Sequence, residues 1–161
     1  MEKGLVPGSD GAGEVVVVGS EVTEFAVGDR VTPSFFQEFI GGRMSIKRLQ
    51  SALGADRNGV FRQYGVFPAH GLVKIPAPLD WREASTLPCA ALTAWGCLYG
   101  ERQVMPGDTV MVQGTGGVSL FGLQVGMISK IVNGAYDRTS SPSLRELRWW
   151  QRHPPTTRPT S

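Results

Sequence analysis

The chain of 161 residues is poor in cysteine, and it has neither a strong net charge nor a long apolar run. Two cysteines, Cys89 and Cys97, exclude a disulfide-stabilised framework and a structural zinc cluster, which both need more thiols at close spacing. A net charge of +2 is too small to indicate a nucleic-acid or membrane partner. No apolar stretch approaches the roughly 20 residues that cross a bilayer, and the N-terminus lacks a signal-peptide core. We therefore expect a cytoplasmic protein with no nucleic-acid and no membrane partner.

Glycine and proline, by contrast, are plentiful, with 21 and 11 residues, and they indicate many turns. The short β-branched or alternating segments between these turns are typical of a small antiparallel barrel or sandwich. Strands are predicted over residues 14–18, 22–25, 30–32, 59–67 and 71–75. Residues 33–58 lack this periodicity and are predicted to form a surface excursion. In an enzyme it could line a substrate entrance, and otherwise it is a tolerated insertion.

From residue 80 the pattern becomes helical. Asp80 with Glu83 three residues later predicts a capping box, and Pro88 is expected to end that helix before a second one over residues 90–99. A β-branched, mostly apolar run over 109–113 predicts a buried strand, and a helix is predicted over 118–124. Because a run of strands precedes alternating helices and strands, the predicted fold class is α/β with a β-rich N-terminal part.

A glycine turn formed by Gly114, Gly116 and Gly117 separates this last strand from the last helix. Glycines at a helix start let backbone N–H groups approach a phosphate, because no Cβ holds the anion away and the helix dipole favours negative charge. Gly114 and Gly116 match the first two glycines of G-x-G-x-x-G, whereas Ser119 stands at the third. The motif alone leaves two interpretations open, a dinucleotide-binding turn or an ordinary strand-to-helix turn.

Five ordered segments together resemble the medium-chain dehydrogenase/reductase superfamily, and most of all its quinone oxidoreductase and zinc-type alcohol dehydrogenase-like branches. The segments are 7–15 (PGSDGAGEV), 25–31 (FAVGDRV), 59–64 (GVFRQY), 87–95 (LPCAALTAW), and 104–110 (VMPGDTV) running into 113–119 (QGTGGVS). The resemblance implies a GroES-like β-barrel domain leading into an incomplete Rossmann domain. It also implies an NAD(P)-dependent oxidoreductase that transfers a hydride between NAD(P)H and a carbonyl, alcohol or activated alkene, its small-molecule substrate.

The resemblance divides the chain into three parts. Residues 1–79 would be a partial GroES-like domain and 80–132 the helices and first βα unit of a Rossmann domain, while 133–161, rich in Ser, Thr, Arg and Pro, is predicted to be disordered. We therefore expect a fragment truncated at both ends, with impaired activity. The alternative is a non-catalytic remnant that acts as a binding module or has no activity. Full-length relatives often form homodimers.

The resemblance also assigns site residues. Gly114, Gly116, Gly117 and Val118 would lie at the pyrophosphate of NADP or NAD, and Thr93 would lie near the nicotinamide. A second interpretation stays open for Thr93, that of a buried helix residue whose hydroxyl bonds to the carbonyl four residues earlier. No catalytic residue is assigned.

A catalytic zinc is not expected. Zinc-dependent relatives place a Cys in the segment where this chain has Cys89, and a His in the segment that here contains Ser9. Such a zinc needs three protein ligands of Cys, His or carboxylate type, and the Ser9 hydroxyl is a poor ligand. Cys89 is therefore interpreted as a small buried apolar residue, and no metal site is predicted.

Overall fold

The computed structural model describes residues 4–43, 45–101 and 103–128, together with the residue pairs 135–136, 146–147 and 149–150. The chain forms two compact units, Met1–Leu92 and Thr93–Ser161. Among the described residues, no helix has the length and apolar character needed to cross a membrane.

A three-stranded antiparallel sheet organises the first unit. Its strands are β1 (Gly13–Glu14), β2 (Arg30–Pro33) and β3 (Leu72–Lys74), in the order β1-β2-β3. In the register, Val31 lies opposite Gly13 on one side and Lys74 on the other. The central strand is the most buried, because Val31, Thr32 and Pro33 are all buried. The strand predicted over 30–32 is therefore confirmed over its whole length, and the one predicted over 71–75 is confirmed in its three central residues.

Three other predicted strands are wrong in extent or absent. Of residues 14–18, Glu14 alone lies in a strand, and Val17 is 81% exposed. Residues 22–25 and 59–67 contain no strand. Over 59–61 the backbone N–H groups bond instead to the carbonyls of 6–8, in a short irregular pairing. β-branched residues form a strand only where a partner strand and a packing face are present, and these segments lack a complete partner strand.

The excursion over residues 33–58 is not confined to the surface. Its one helix, α1 (Ile46–Leu49), is exposed or half-exposed, but Ser51, Ala52 and Leu53 are buried. Bridges between Phe36 and Ala52 and between Leu53 and Arg57 close the segment on itself. The buried Gln37 amide donates to the carbonyls of Ser34 and Gly71, which links the excursion to the start of β3. The segment therefore has a fixed core of its own.

Two helical elements complete the first unit and lead into the second. The capping box predicted for α2 (Trp81–Ser85) is confirmed, since Asp80 accepts from the Glu83 amide at 2.7 Å and the Glu83 carboxylate accepts from the Asp80 amide at 2.9 Å. The helix predicted over 90–99 begins earlier, with a π-helical turn over Leu87–Ala91 followed by α3 (Leu92–Tyr99). Pro88 lies at the start of that turn, where its missing N–H leaves no hydrogen bond unmade.

Replacing Asp80 by alanine is expected to lower the free energy of unfolding by about 1 kcal/mol, because the helix loses an N-cap acceptor and one half of the capping box. Urea unfolding followed by circular dichroism measures the change. Glu21→Ala removes an exposed carboxylate outside this helix and serves as the control. Equal losses in the two variants would contradict a capping role for Asp80.

Asp29 links the turn before β2 to β3. Its carboxylate accepts a hydrogen bond from the Ala26 amide at 2.8 Å and pairs with Lys74 Nζ at 2.8 Å. The hydrogen bond from Lys74, followed by that from the Ala26 amide, holds the pKa of Asp29 below its ordinary value. The charged form is therefore the one that the folded state favours.

This linkage predicts part of the acid sensitivity of the fold. Because the folded-state pKa of Asp29 is lowered, its stabilising contribution is complete above the unfolded value of about 4 and is lost as pH falls through the lower folded value. Asp29→Asn should therefore flatten the decline of stability in that acid range, as measured by urea midpoints at successive pH values. Lys74→Met should flatten it in the same way. Parallel acid profiles in wild type and both variants would contradict the prediction.

The second unit contains α3, a two-residue strand β4 (Val112–Gln113) and the helix α4 (Gly117–Ile128). The strand predicted over 109–113 is confirmed only in its last two residues, whereas α4 includes the whole of the helix predicted over 118–124. β4 pairs antiparallel with β6 (Glu146–Leu147), and β5 (Ala135–Tyr136) pairs antiparallel with β7 (Trp149–Trp150). The disorder predicted over 133–161 falls mostly on residues outside those described and stays a prediction.

Candidate cofactor site

The glycine turn lies between β4 and α4, in the order strand, turn and helix that the sequence predicts. Gly114 follows β4 directly and has φ of +78°, a left-handed conformation that side chains other than glycine rarely adopt. A Cβ built at Gly114 or Gly116 would meet no atom within 4 Å. The turn is therefore tight, and the space beside two of its glycines is open.

The start of α4 has backbone amides that are suited to binding an anion. The first intrahelical bond runs from the Leu120 amide to the Gly116 carbonyl at 3.0 Å, so the amides of 117–119 have no acceptor earlier in the helix. The helix is 12 residues long, and its dipole adds a partial positive charge at the same end. Unpaired N–H groups, a helix N-terminus and absent Cβ atoms together form the usual geometry for binding a phosphate.

The side chain of Ser119 stabilises this turn through a hydrogen bond. Its hydroxyl donates to the Gln113 carbonyl at 2.6 Å, which ties the first turn of α4 to the last residue of β4. Close contact between the two elements continues one turn later, because a Cβ on Gly122 would lie 3.4 Å from Val112 Cγ1. From the sequence, Ser119 is known only as the residue at the third glycine position, and this hydrogen bond was not predicted. The signal for its hydrogen bond was a hydroxyl at the third position of the glycine motif.

The structure brings together four of the five residues predicted for the cofactor. Gly114, Gly116, Gly117 and Val118 form one turn, in which the Val118 side chain is 41% exposed. Thr93 lies in the first turn of α3, outside the glycine turn. Its side chain is exposed, so the interpretation as a buried residue is wrong. Its place near the nicotinamide stays a prediction.

A second polar group lies in the first unit, around Asp10. The Asp10 carboxylate accepts from the Cys89 amide at 2.9 Å and from the Ser9 hydroxyl at 3.0 Å. These bonds bring two segments of the family pattern together across 79 residues of sequence. Cys89 is half-buried, rather than fully buried as predicted. The role of Asp10 was missed because nothing local in the sequence relates it to Cys89.

The Asp10 group does not fit a catalytic zinc, which needs three protein ligands and one open position. Asp10 and Cys89 would supply two ligands, and within the described residues no group of three or more His, Cys, Asp and Glu side chains lies together. The Asp10 carboxylate is also engaged with the Cys89 amide. The absence of zinc nevertheless stays a prediction, because the search for ligand groups covers only the described part of the chain.

Comparison with known proteins shows what this chain resembles. The model for the alcohol dehydrogenase GroES-like domain matches residues 1–77. The chain is 50% identical over 147 residues to a zinc-type alcohol dehydrogenase-like protein of Schizosaccharomyces pombe, a match that covers 90% of this chain and 41% of that protein. It is 32% identical over 127 residues to an alcohol dehydrogenase of Rhizobium meliloti, covering 74% and 37%.

Solved structures agree. A protein from Sinorhizobium meliloti, provisionally described as an alcohol dehydrogenase, superposes with a TM-score of 0.74 at 42% identity, over 81% of this chain and 39% of that one. A structure described as an NAD-dependent alcohol dehydrogenase gives 0.65 at 31% identity, over 77% and 38%. An alcohol dehydrogenase from Pyrobaculum aerophilum, described as cobalt and zinc bound, gives 0.62 at 32% identity, over 77% and 39%.

The fold, the ordered segments and these relatives define a class. The chain belongs to the medium-chain dehydrogenase/reductase superfamily, a family of oxidoreductases, and its first 77 residues match the GroES-like domain. The predicted family and the predicted α/β fold class with a GroES-like domain are thereby confirmed. The chain spans about two fifths of the length of the relatives it matches, 41% of the yeast protein and 39% of the Sinorhizobium structure.

Proposed function

We propose that this chain carries the pyrophosphate-binding turn of an NAD(P)-dependent oxidoreductase, which transfers a hydride between the cofactor and a carbonyl, alcohol or activated alkene. One observation carries the proposal. The left-handed Gly114 and the open space beside Gly116 lie directly before α4, and within the described part of the chain its first amides have no acceptor. Phosphate oxygens would satisfy these amides at the positive end of the helix dipole.

The residues of this chain would bind and orient the cofactor. The amides of 117–119 would donate to the diphosphate, and the hydrogen bond from Ser119 to Gln113 would keep the turn in that geometry. Thr93 would contact the nicotinamide side of the cofactor. The nicotinamide, when bound, would supply or accept the hydride, so the protein has to position the reacting carbons and exclude water. A solved relative described as NAD-dependent supports a nicotinamide cofactor, and the proposal includes both NAD and NADP.

The first unit offers an apolar surface for a small-molecule substrate. A cavity of about 180 Å³ lies between β2, β3 and the π-helical turn. Its lining is mostly aliphatic and proline side chains, and consists of Thr32, Pro33, Ser34, Val73, Lys74, Ile75, Pro76, Leu87, Pro88 and Leu92. Such a lining suits the carbon skeleton of a substrate better than a charged group. A cytoplasmic location and a homodimer of the longer protein are also part of the proposal.

Calorimetric titration of the 161-residue chain with NADPH and NADH tests the proposal. Binding to the native state must also raise its stability, by about 2.7 kcal/mol at a free ligand concentration 100 times Kd. Nicotinamide mononucleotide, which has one phosphate and no diphosphate, is the matched ligand control and should bind more weakly. A chain that neither binds nor is stabilised by either dinucleotide would favour the alternative of a non-catalytic binding module.

A further inference from the structure

A second cleft in the first unit is lined entirely by polar side chains. It has a volume of about 620 Å³ and lies on the excursion, around α1. Its lining comprises Glu38, Ser45, Lys47, Arg48, Gln50 and Arg57, and we call it the polar cleft. Neither the glycine turn nor the Asp10 group shares a residue with it. A cleft of this size falls within the range of small-molecule sites, although its lining is much more polar than usual.

Hydrogen bonds hold two of the cationic residues of the polar cleft. Arg48 Nη1 donates to the carbonyls of Gly41 at 2.8 Å and Arg43 at 3.0 Å, which fixes its guanidinium. The backbone of Arg57 is held from both sides, because its amide donates to the Ala52 carbonyl and its carbonyl accepts from the Gly54 amide at 2.8 Å. The Arg48 guanidinium therefore loses little freedom when a ligand binds, whereas Arg57 is held at its backbone.

The charge of the cleft is only partly balanced. Its one carboxylate, Glu38, is paired on both oxygens, with Arg57 Nη2 at 2.9 Å and with His70 Nε2 at 3.4 Å. Among the described residues, no carboxylate pairs with Lys47 or Arg48. The Ser45 side chain makes no capping bond to α1, so its hydroxyl remains available as a donor. Three cations therefore line one cleft with a single carboxylate, which leaves an excess of positive charge and of hydrogen-bond donors.

We propose that the polar cleft binds a small molecule bearing a phosphate or diphosphate group, at a site separate from the glycine turn. Phosphate oxygens suit a set of guanidinium, ammonium, hydroxyl and amide donors, because charge-assisted hydrogen bonds are the strongest ones available. An extended nucleic acid fits less well, since the three cations line one cleft and the chain as a whole has a net charge of only +2. The ligand would compete with Glu38 for Arg57.

Calorimetry of the intact chain with inorganic pyrophosphate as the probe tests the proposal. Lys47→Gln should weaken binding about tenfold, the equivalent of one charge-assisted hydrogen bond. Glu38→Gln should strengthen it several-fold, because the carboxylate that occupies Arg57 is removed. The matched control is Arg82→Gln, which removes one positive charge from an exposed position on α2 and should leave the affinity within twofold. Circular dichroism checks that each variant is folded.

Several results would overturn the proposal. Equal losses of pyrophosphate affinity in Lys47→Gln and Arg82→Gln would mean that binding depends only on the net charge of the chain. A loss in Gly116→Val that Lys47→Gln does not share would place pyrophosphate at the glycine turn instead. Tighter binding of a DNA oligonucleotide than of pyrophosphate, with a steep dependence on salt, would assign the cleft to nucleic acid. Cofactor binding at the glycine turn is followed separately, as the loss of NADPH affinity in Gly116→Val, so failure here and failure of the proposed cofactor binding are distinguishable.

Discussion

Gly116→Val is expected to weaken NADPH binding by tenfold or more. The valine methyl groups would occupy the open space beside Gly116, which is the space that a diphosphate needs in order to reach the amides of α4. Loss of one or two hydrogen bonds to a charged phosphate, each worth about 1.5–3 kcal/mol, corresponds to a tenfold or larger change in Kd. Calorimetric titration with NADPH measures it directly.

The same substitution should have little effect on the fold. No atom lies within 4 Å of the Cβ position at Gly116, and its φ is not positive, so the loss should be at most about 1 kcal/mol, from a poorer helix N-cap. Gly13→Val is the control, because its Cβ position is equally open and it lies in β1 of the other unit. Normal NADPH affinity in folded Gly116→Val would remove the glycine turn from the cofactor site.

A conservative substitution at Ser119 separates the hydrogen bond that positions the turn from the backbone amides that would bind the phosphate. Ser119→Ala keeps the small side chain but removes the hydrogen bond to the Gln113 carbonyl. It leaves every backbone amide of the turn in place. A weaker loss of NADPH affinity than in Gly116→Val is therefore the result that fits a side chain which positions the turn without touching the phosphate.

Local signals explain what the sequence could predict. The capping box of Asp80 and Glu83 spans one helical turn, and the glycine turn is complete within residues 114–119, so both follow from neighbouring residues alone. The order of strand, turn and helix follows in the same way. These features depend on backbone sterics and on hydrogen bonds between residues close in sequence, which any arrangement of the rest of the chain leaves intact.

The features that could not be predicted depend on distant partners. Residues 14–18 have the composition of a strand, but pairing decides whether they form one, and the β1 ladder ends at Glu14. The Asp10 carboxylate reaches the Cys89 amide across 79 positions. The polar cleft likewise brings Glu38 and Arg57 together from two sides of α1. Residue type alone does not specify such contacts, because each depends on the folded path of the chain.

The largest loss of stability is expected from Gly59→Ala. Gly59 is buried against residues 7 and 8, and a Cβ there would overlap the Gly8 carbonyl oxygen and lie 2.5 Å from that of Pro7. The backbone cannot move aside cheaply, because hydrogen bonds of 2.7–3.1 Å from the amides of 59–61 hold it to the carbonyls of 6–8. Overpacking against fixed backbone, with the loss of one or more of these bonds, should cost about 3 kcal/mol or more.

Urea unfolding of Gly59→Ala measures this cost, and Gly13→Ala provides the matched control. The Cβ position at Gly13 meets no atom within 4 Å, so that variant should stay within about 0.5 kcal/mol of wild type. Because residues 6–8 lead directly to Asp10, their displacement should also loosen the hydrogen bond from the Cys89 amide and speed its hydrogen exchange. Equal urea midpoints for the two variants would show that residues 6–8 can shift freely and that the close approach does not constrain the fold.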